Sequence, residues 1–376
     1  MILAIDGYEA NAGVRVGIGR FAFELIDHIA KLQRAGRGVF DMVRVYVPGQ
    51  VAAHMPEESA TFTYRSIPLK QFWTFIGLPI GIMTDSTRPD VIFSPTHYIP
   101  RFVKIPRVMA IMDVSYLSYP ELFRAQDLHK LVHWTAYSVR HAAKIITISE
   151  FSKHAIIDSY HIPDSDVVVA YPALPDSVSK DAMAKSTDSS LPVPKRYILS
   201  VGTLQPRKNF ARLIEAVSLL KDKEISLVIV GKKGWLYDEI LSAPKKFGIS
   251  NRVQFMDFVP DSALPQLYKN AACFVLPSLY EGFGLPVLEA MSYDVPVVVS
   301  STSSLPEIAG DAGIYVDPED AANIASGITQ ALTETVKERL SRVATGKKRV
   351  KAFTWDLAAE KVMSVLEEVG KKGSAV

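Results

Sequence analysis

Glu281 and Glu289 are two carboxylates separated by seven residues, and the glycines Gly282 and Gly284 stand between them. They belong to the segment Pro277–Met291, which follows the apolar run Cys273–Leu276 and reads as a loop opening a helix. Pro286 suits a first helical turn, where a missing N–H costs nothing. The two glycines let the backbone approach a ligand closely. Amides at a helix start are a ready site for anionic or hydroxyl-rich groups. The pattern therefore fits two carboxylates flanking one polar ligand. The plainer alternative, a glycine turn beside solvated glutamates, suits either Glu alone better than it suits the whole constellation. A second cluster is Arg207-Lys208 in the segment Ser200–Asn209, where a strand ends at Val201 and a helix begins near Asn209. Two adjacent cations at the carboxyl end of a strand can clamp a diphosphate, Arg as a bidentate fork and Lys as a point charge. A solvated basic pair is the competing reading.

The third motif is Gly17-Ile18-Gly19-Arg20-Phe21-Ala22. It fits a dinucleotide fingerprint with Ala in the third glycine place. However, the first strand ends near Ile5, too far upstream for a fingerprint that should follow its strand directly. The motif therefore argues for a tight start to a helix and against a dehydrogenase. His129 and His133 share a helix face without a third ligand, and Asp164-Ser165-Asp166 follows Pro163 as a turn, so no metal site is expected. The single cysteine, Cys273, sits in an apolar run and excludes a disulfide framework.

These groups need a scaffold. Short β-rich runs alternate with amphipathic helices, the pattern of α/β sheets with mostly parallel strands. The first series has strands at Ile2–Ile5, Met42–Val47, Phe62–Ile67, Val91–Phe93, Val108–Met112, Ile145–Ile148 and Val167–Ala170, with helices at Gly19–Gln33, Glu121–Ala143 and Glu150–Tyr160. A Pro-, Ser- and Lys-rich stretch at about 172–196, including the charged run Lys180–Lys195, reads as a linker. A second series follows. Its strands are Tyr197–Val201, Ser226–Val230, Arg252–Phe255, Cys273–Leu276, Val297–Val299 and Ile314–Val316. Its helices lie near Asn209–Leu220, Leu236–Phe247, Ala263–Asn270, Pro286–Met291 and Ala321–Leu332. After Glu334 only helices are expected. The boundaries drawn are 1–175, 196–352 and a last helix, 353–376. Two such domains form a cleft, and open parallel sheets bind ligands at the carboxyl ends of their strands.

The chain has 376 residues, with 42 Lys and Arg against 40 Asp and Glu, and this near-balance argues against a nucleic-acid partner. No basic, apolar leader and no run of about 20 apolar residues occurs, so a soluble, cytoplasmic protein is expected. One stretch qualifies this. On the helix read at Glu121–Lys144, the positions Leu128, Leu131, Val132, Thr135, Val139 and Ala142 face one way, while Lys130, His133, Arg140, His141 and Lys144 cluster largely elsewhere. Such a face can rest on an anionic membrane or simply be solvated.

Taken together, these residues resemble the retaining glycosyltransferases of family 4, mannosyltransferase-like branch, over almost the whole chain. Val201-Gly202-Thr203…Arg207-Lys208-Asn209 looks like the family's phosphate segment, and Glu281-Gly282-Phe283-Gly284-Leu285-Pro286…Glu289 like its Glu-x7-Glu element. Pro296–Glu307, Gly310–Gly313, Gly17–Arg20 and Ile148–Ser152 are similar to further family features. The resemblance implies a GT-B fold: two Rossmann-like domains facing across a deep cleft, the first binding acceptor and the second donor, with the C-terminal helix returning to the first. It also implies roles. Arg207 and Lys208 would neutralise the donor diphosphate. Glu281 would hold the donor sugar and steady its oxocarbenium-like state, and Glu289 would hold the ribose. Thr203 belongs to the phosphate segment, and the backbone near Phe258-Val259 would frame the base. Amides of Phe283, Gly284 and Leu285 would contact sugar hydroxyls or phosphate, and Gly17 and Gly19 would let the first-domain loop reach the phosphates.

One departure stands out. Met112 occupies the place of a histidine that many relatives carry next to an aspartate, while Asp113 remains; Asp113 or His97 is expected to supply the missing contact. The implied activity needs no cofactor and no metal. The donor is a nucleotide sugar, GDP-mannose first. The acceptor is a hydroxyl of a glycan or lipid-linked molecule in polysaccharide synthesis, with peripheral membrane contact as a further expectation. A nucleotide-sugar epimerase on a similar double-Rossmann plan and a non-catalytic glycan-binding module are the competing readings. An epimerase would isomerise the donor without an acceptor, and a module would have no use for a diphosphate clamp.

Overall fold

The computed structural model describes residues 1–373 apart from 14, 16, 176–177, 179–191, 258 and 261–262. The chain divides into two compact units. The first comprises Met1–Leu117, Ala125–Pro172 and Thr354–Val376; the second comprises Ser118–Arg124 and Ala173–Phe353. The run Lys180–Lys195, read from sequence as solvated linker, lies mostly outside the described residues.

The first unit holds β1 (Ile2–Asp6), α1 (Ile18–Arg34), β2 (Met42–Pro48), β3 (Phe62–Ile67), a π-helical turn at Trp73–Gly77, α2 (Leu78–Met83), β4 (Val91–Ser94), β5 (Arg107–Ala110), α3 (Ser115–Ser118), α4 (Ala125–His141), β6 (Lys144–Thr147), α5 (Glu150–Tyr160) and β7 (Val167–Val169). The sheet order is β3-β2-β1-β4-β5-β6-β7, every pair parallel. The central strands β1 and β4 are apolar up to their last residues, Asp6 and Ser94, because helices cover both faces: Leu3, Ala4, Ile5, Val91, Ile92 and Phe93 are fully buried.

The second unit holds β8 (Tyr197–Val201), a 3₁₀ turn at Pro206–Lys208, α6 (Phe210–Leu219), β9 (Ser226–Val230), α7 (Asp238–Lys246), β10 (Val253–Met256), α8 (Leu264–Lys269), β11 (Cys273–Leu276), α9 (Leu285–Ser292), β12 (Val297–Ser300), α10 (Leu305–Ala309), β13 (Gly313–Val316), α11 (Ala321–Thr333) and α12 (Val336–Val350). The order is β10-β9-β8-β11-β12-β13, again wholly parallel. The strand period divides its core in two. Ile198, Leu227, Ile229 and Val275 pack with Phe210 and Leu213 on one face; Leu199, Val228, Val230 and Phe274 pack with Leu267 and Val287 on the other. Cys273 lies in this core, and burial pushes its thiol up to about 12.

The last helix, α13 (Trp355–Gly373), belongs to the first unit, as the resemblance implied. Trp355 meets Phe21 of α1 at a ring distance of 5.8 Å, and Asp356 pairs with His28 at 2.7 Å. The helix read at Glu121–Ala143 begins later than expected. Pro120–Leu122 forms a separate 3₁₀ turn, and α4 starts at Ala125, beyond an extended Phe123. The helix read at Leu236–Phe247 also starts late, since Leu236 adopts a left-handed backbone. Among the described residues no helix is long and apolar enough to cross a membrane.

Candidate functional site

In the second sheet the strand order reverses between β8 and β11, which are neighbours although β9 and β10 intervene in sequence. At such a switch point the loops after the two strands diverge and leave a crevice at their carboxyl ends. The loop after β8 carries Arg207 and Lys208, and the loop after β11 carries Glu281. Topology alone therefore brings residues about seventy positions apart to one place, and the amide of Leu279 bonding the carbonyl of Arg207 at 2.9 Å ties the two loops together.

Glu281 is the centre of this cluster and is 5% exposed. Lys208 Nζ donates to its Oε1 at 2.5 Å, Ser278 Oγ donates to the same oxygen at 2.8 Å, and Arg207 Nη1 reaches Oε2 at 3.4 Å. Burial alone would push the Glu281 carboxyl up; the Lys208 and Arg207 charges and the bonds from Lys208 and Ser278 outweigh it and hold the carboxyl below its usual range. Its backbone is fixed as well. The Glu281 amide donates to Ser303 Oγ at 3.2 Å, and Ser304 Oγ lies 2.9 and 3.0 Å from the Glu281 and Phe283 carbonyls. Arg207 also donates to the Tyr280 carbonyl at 3.0 Å. Asn209, left-handed at φ 59°, donates its side-chain amide to the carbonyls of Pro277 and Pro318 and so anchors the cation turn to the β11 loop.

Gly284 precedes α9 at φ +100°, a backbone conformation that favours glycine, and a Cβ there would lie 2.7 Å from Leu305 Cδ2, which would have to shift. Pro286 stands in the first turn of α9, as expected. Gly282 and Phe283 are buried, Phe283 with its ring against Phe353 at 5.5 Å, and Leu285 is half-buried. Glu289 is buried too, and Tyr268 of α8 donates to its Oε2 at 2.7 Å. Thr203 is exposed in the loop after β8. Val259 is buried after β10, and its neighbour Phe258 lies outside the described residues.

The first sheet has its own switch point, between β1 and β4. Gly17 is exposed at φ +47° ahead of α1. Gly19 is buried, and a Cβ on it would lie 3.1 Å from the Glu9 carbonyl. His97, after β4, and Asp113, after β5, come together. His97 Nε2 lies 3.5 Å from the Met112 amide, and Asp113 Oδ1 accepts from the amide and hydroxyl of Ser115 at 2.9 and 2.6 Å, capping the short α3. Burial pushes the His97 imidazole below its usual value, and the Asp113 charge opposes that shift without cancelling it. Met112, next to Asp113 in sequence, turns its backbone amide toward His97.

Several participants escape sequence reasoning. Ser278, Ser303, Ser304 and Tyr268 shape the two glutamates, but serines and tyrosines are too common to stand out without the fold. Asp6 ends β1 in a buried position, accepts from Trp73 Nε1 at 2.7 Å and from the Tyr8 amide at 3.1 Å, and burial raises it to about 6 despite those bonds. An acidic residue ending an apolar strand was the only available signal. Among the described residues no group of three or more His, Cys, Asp or Glu is placed to hold a metal ion.

The cluster of buried carboxylate and two cations is equipped to bind a polyol and an anion side by side. Known proteins bear on what that means. Residues 183–349 match the family model for glycosyl transferases group 1. The chain is 30% identical over 371 residues to the O-antigen chain mannosyltransferase B of Escherichia coli, covering 90% of this chain and 93% of that protein. Among solved structures, sucrose-phosphate synthase from Thermosynechococcus elongatus is similar with a TM-score of 0.71 at 17% identity, covering 98% of each chain. Anabaena HepE in complex with UDP gives 0.67 at 20% identity, covering 98% of this chain and 99% of that one. At those identities the structural likeness speaks for the fold of two parallel-sheet Rossmann-like domains, as in GT-B proteins. The sequence match over nearly the whole length carries the further step: this chain belongs to the group 1 family of glycosyl transferases.

Proposed function

We propose that the protein is a retaining hexosyltransferase that moves mannose from GDP-mannose to a hydroxyl of a glycan or lipid-linked acceptor in polysaccharide synthesis. The observation that carries this reading is the joining of Arg207 and Lys208 to the buried, ionised Glu281 at the β8–β11 switch point. The mannose and O-antigen parts draw on the Escherichia coli relative, whose name states both. On this reading the second unit takes the donor and the first takes the acceptor.

Arg207 and Lys208 meet the donor diphosphate and the charge that grows on it as the sugar departs. Glu281 holds sugar hydroxyls and faces the oxocarbenium-like carbon with a full negative charge. Glu289, oriented by Tyr268, takes the ribose, and Val259 borders the base. Thr203 and the backbone of Gly282, Phe283, Gly284 and Leu285 complete the sugar and phosphate contacts. In the first unit Gly17 and Gly19 shape the loop ahead of α1, and His97 and Asp113 supply the polar contacts for which Met112 has no side-chain group.

The reaction is a front-face displacement. The bond from C1 to the phosphate oxygen breaks, the bond from the acceptor oxygen to C1 forms on the same face, and the acceptor proton passes to the departing phosphate. The protein supplies no nucleophile. With Arg207, Lys208 and the helix dipole of α9 meeting the diphosphate charge, turnover is metal-independent. A thermal-shift series over nucleoside diphosphates and their sugars tests the donor, because a ligand bound to the folded form raises its midpoint. A shift with GDP and GDP-mannose is expected. A shift with UDP compounds alone reassigns the donor, and no shift with any of them refutes the reading. Anomeric retention is read from the product by NMR, and a trapped glycosyl adduct on Glu281 or Asp113 refutes the displacement.

A further inference from the structure

The segment Ser118–Arg124 runs from the end of α3 to the start of α4, both of the first unit, yet it belongs to the second. Its centre, Pro120–Leu122, is a 3₁₀ turn, and it is anchored on either side of that turn. The Tyr119 ring meets Tyr280 edge-on at 6.1 Å. Trp235 Nε1 donates to the Leu122 carbonyl at 2.5 Å, and the Phe123 ring lies 5.9 Å from the Trp235 ring. Tyr119, Leu122, Phe123 and Trp235 are half-buried and stand outside the two apolar clusters of the second unit's core. A segment that served stability alone would place its rings in those clusters.

Both anchor points lead to the loops that carry the charged trio. Tyr280 precedes Glu281, is 4% exposed, and its carbonyl accepts from Arg207 at 3.0 Å. A shift of Tyr280 therefore moves the backbone beside Glu281 and a contact of Arg207 together. Trp235 lies in the loop after β9, which is stitched to the loop after β8. The Leu204 amide donates to the Lys232 carbonyl at 2.9 Å, and the Gly234 amide to the Leu204 carbonyl at 3.0 Å. The two backbones run so close that a Cβ on Gly234 would lie 2.8 Å from the Leu204 carbonyl oxygen, and one on Gly231 would lie 1.9 Å from that of Gly202. Leu236, next after Trp235, is held at φ 53° with its side chain 54% exposed, so burial of that side chain does not offset the backbone strain. Through Tyr280 the segment reaches the loop of Glu281, and through Trp235 it reaches the loop of Arg207 and Lys208.

We propose that Ser118–Arg124 is a strap that sets the donor site, with Tyr119 and Trp235 as positioning residues that hold the Glu281 loop and the Arg207–Lys208 loop in register. This rests on the transferase reading and adds to it residues that act through Tyr280 and the loop after β8. The chemistry makes such a strap matter. A charge that stabilises a transition state acts by its position, and a misplacement of about 1 Å can cost about a hundredfold in rate. Lys208, Ser278 and Arg207 fix the Glu281 carboxylate on its own loop. The bond from the Leu279 amide to the Arg207 carbonyl ties the two loops at one point, and the strap adds an aromatic contact to one loop and a hydrogen bond to the neighbour of the other.

Release of GDP from GDP-mannose by the full chain tests it, with UDP release from UDP-glucose in parallel and with water or a mannosyl glycoside as acceptor. Tyr119→Ala is expected to lower kcat about tenfold or more with the donor KM within about twofold. Tyr119→Phe keeps the ring and is expected to stay within about twofold of the native chain. Trp235→Phe removes the indole N–H, keeps a ring against Phe123, and is expected to lower kcat about threefold or more. In a cycle with Glu281→Gln, Tyr119→Ala is expected to add less than about threefold, because it acts through that loop. Thermal midpoints within about 3 °C of the native chain show that the variants fold; should Tyr119→Ala fall further, Trp235→Phe carries the test. Native turnover in Tyr119→Ala and Trp235→Phe, a rise in donor KM alone, equal loss in Tyr119→Phe, or full multiplication with Glu281→Gln overturns the strap's role while normal nucleotide shifts leave the transferase reading standing. A native chain that shifts with no nucleoside diphosphate and releases none from either donor overturns that reading, and the strap's role falls with it.

Discussion

Replacing Lys208 by methionine tests whether Glu281 is charged because of its cations. The substitution keeps the aliphatic stem, whose Cε lies 3.3 Å from where a Cβ on Gly202 would sit, and removes only the ammonium. Glu281 remains buried, with Ser278 at 2.8 Å and Arg207 at 3.4 Å as its other partners. Removing one partner of a buried ion pair costs about 3–5 kcal/mol. The remaining guanidinium and hydroxyl place this case at the low end, about 3 kcal/mol. For a unit of roughly 150–250 residues that is a fall in the unfolding midpoint of about 6–12 °C at pH 7.

The pH dependence should change sign as well. In the native chain the Glu281 carboxyl titrates below its usual range, so its contribution is complete above the ordinary glutamate value and is lost as pH falls toward the folded value. In the variant burial is no longer outweighed, the folded value rises above the unfolded one, and stability is lost as pH climbs through it. The slope from this one group reaches about 1.4 kcal/mol per pH unit between the two values. Calorimetric midpoints from pH 4 to 8 for the native chain, Lys208→Met and Lys208→Met/Glu281→Gln measure it, and the double variant should remove the reversed slope. A single variant within about 2 °C of the native chain at pH 7, with a parallel pH profile, would refute the electrostatic account of this site.

Gly284→Ala should destabilise the second unit by about 1–3 kcal/mol, read by denaturant titration, since its φ is +100° and a Cβ would meet Leu305 at 2.7 Å. Tyr268→Phe should raise the donor KM roughly fivefold or more with kcat nearly unchanged in a transfer assay, because it leaves Glu289 in place without its 2.7 Å donor; a fall in kcat alone would count against a positioning role. His97→Asn should flatten acid destabilisation of the first unit. The folded imidazole titrates below its usual value, so its contribution is present above about pH 6.5 and lost as pH falls; the gap between variant and native midpoints should narrow on going from pH 7.5 to 5.

The sheets were legible because parallel strands buried on both faces are continuous apolar runs: Ser226–Val230 and Cys273–Leu276 announce themselves by composition and length. The chemical loops were legible because glycine, proline and charge mark the ends of such strands. The π turn at Trp73–Gly77 was not, since it starts at a left-handed phenylalanine where no glycine or asparagine signals the turn. Nor could the sequence link Asp6 to Trp73, or Glu289 to Tyr268. Each pair is made by tertiary packing between elements 67 and 21 residues apart. The late start of α4 has the same cause, for Ser118–Arg124 packs with the second unit, and the helix begins only where the chain rejoins the first.

The partners of Lys208 change the meaning of the cation pair. Sequence offers two adjacent positive charges, the natural complement of a diphosphate. The fold gives those charges a carboxylate first, so the trio Arg207, Lys208 and Glu281 carries a net +1 where the pair alone would carry +2. A buried ammonium with no counter-ion would be strongly disfavoured, and Glu281 removes that cost before any ligand arrives. On the proposed reading the same carboxylate stands beside the donor phosphate, where its charge opposes the phosphate and favours a carbon becoming positive. The proposed ground state, with a diphosphate beside Glu281, would then gain less from the trio than a transition state in which positive charge has grown on the sugar. Differential stabilisation of that kind accelerates a reaction, whereas tight binding of the intact donor does not. On this argument Glu281→Gln should bind the nucleoside diphosphate at least as tightly as the native chain and yet lose turnover by a factor of about 10²–10³. Weaker nucleotide binding with turnover preserved would show that the carboxylate serves the cations alone.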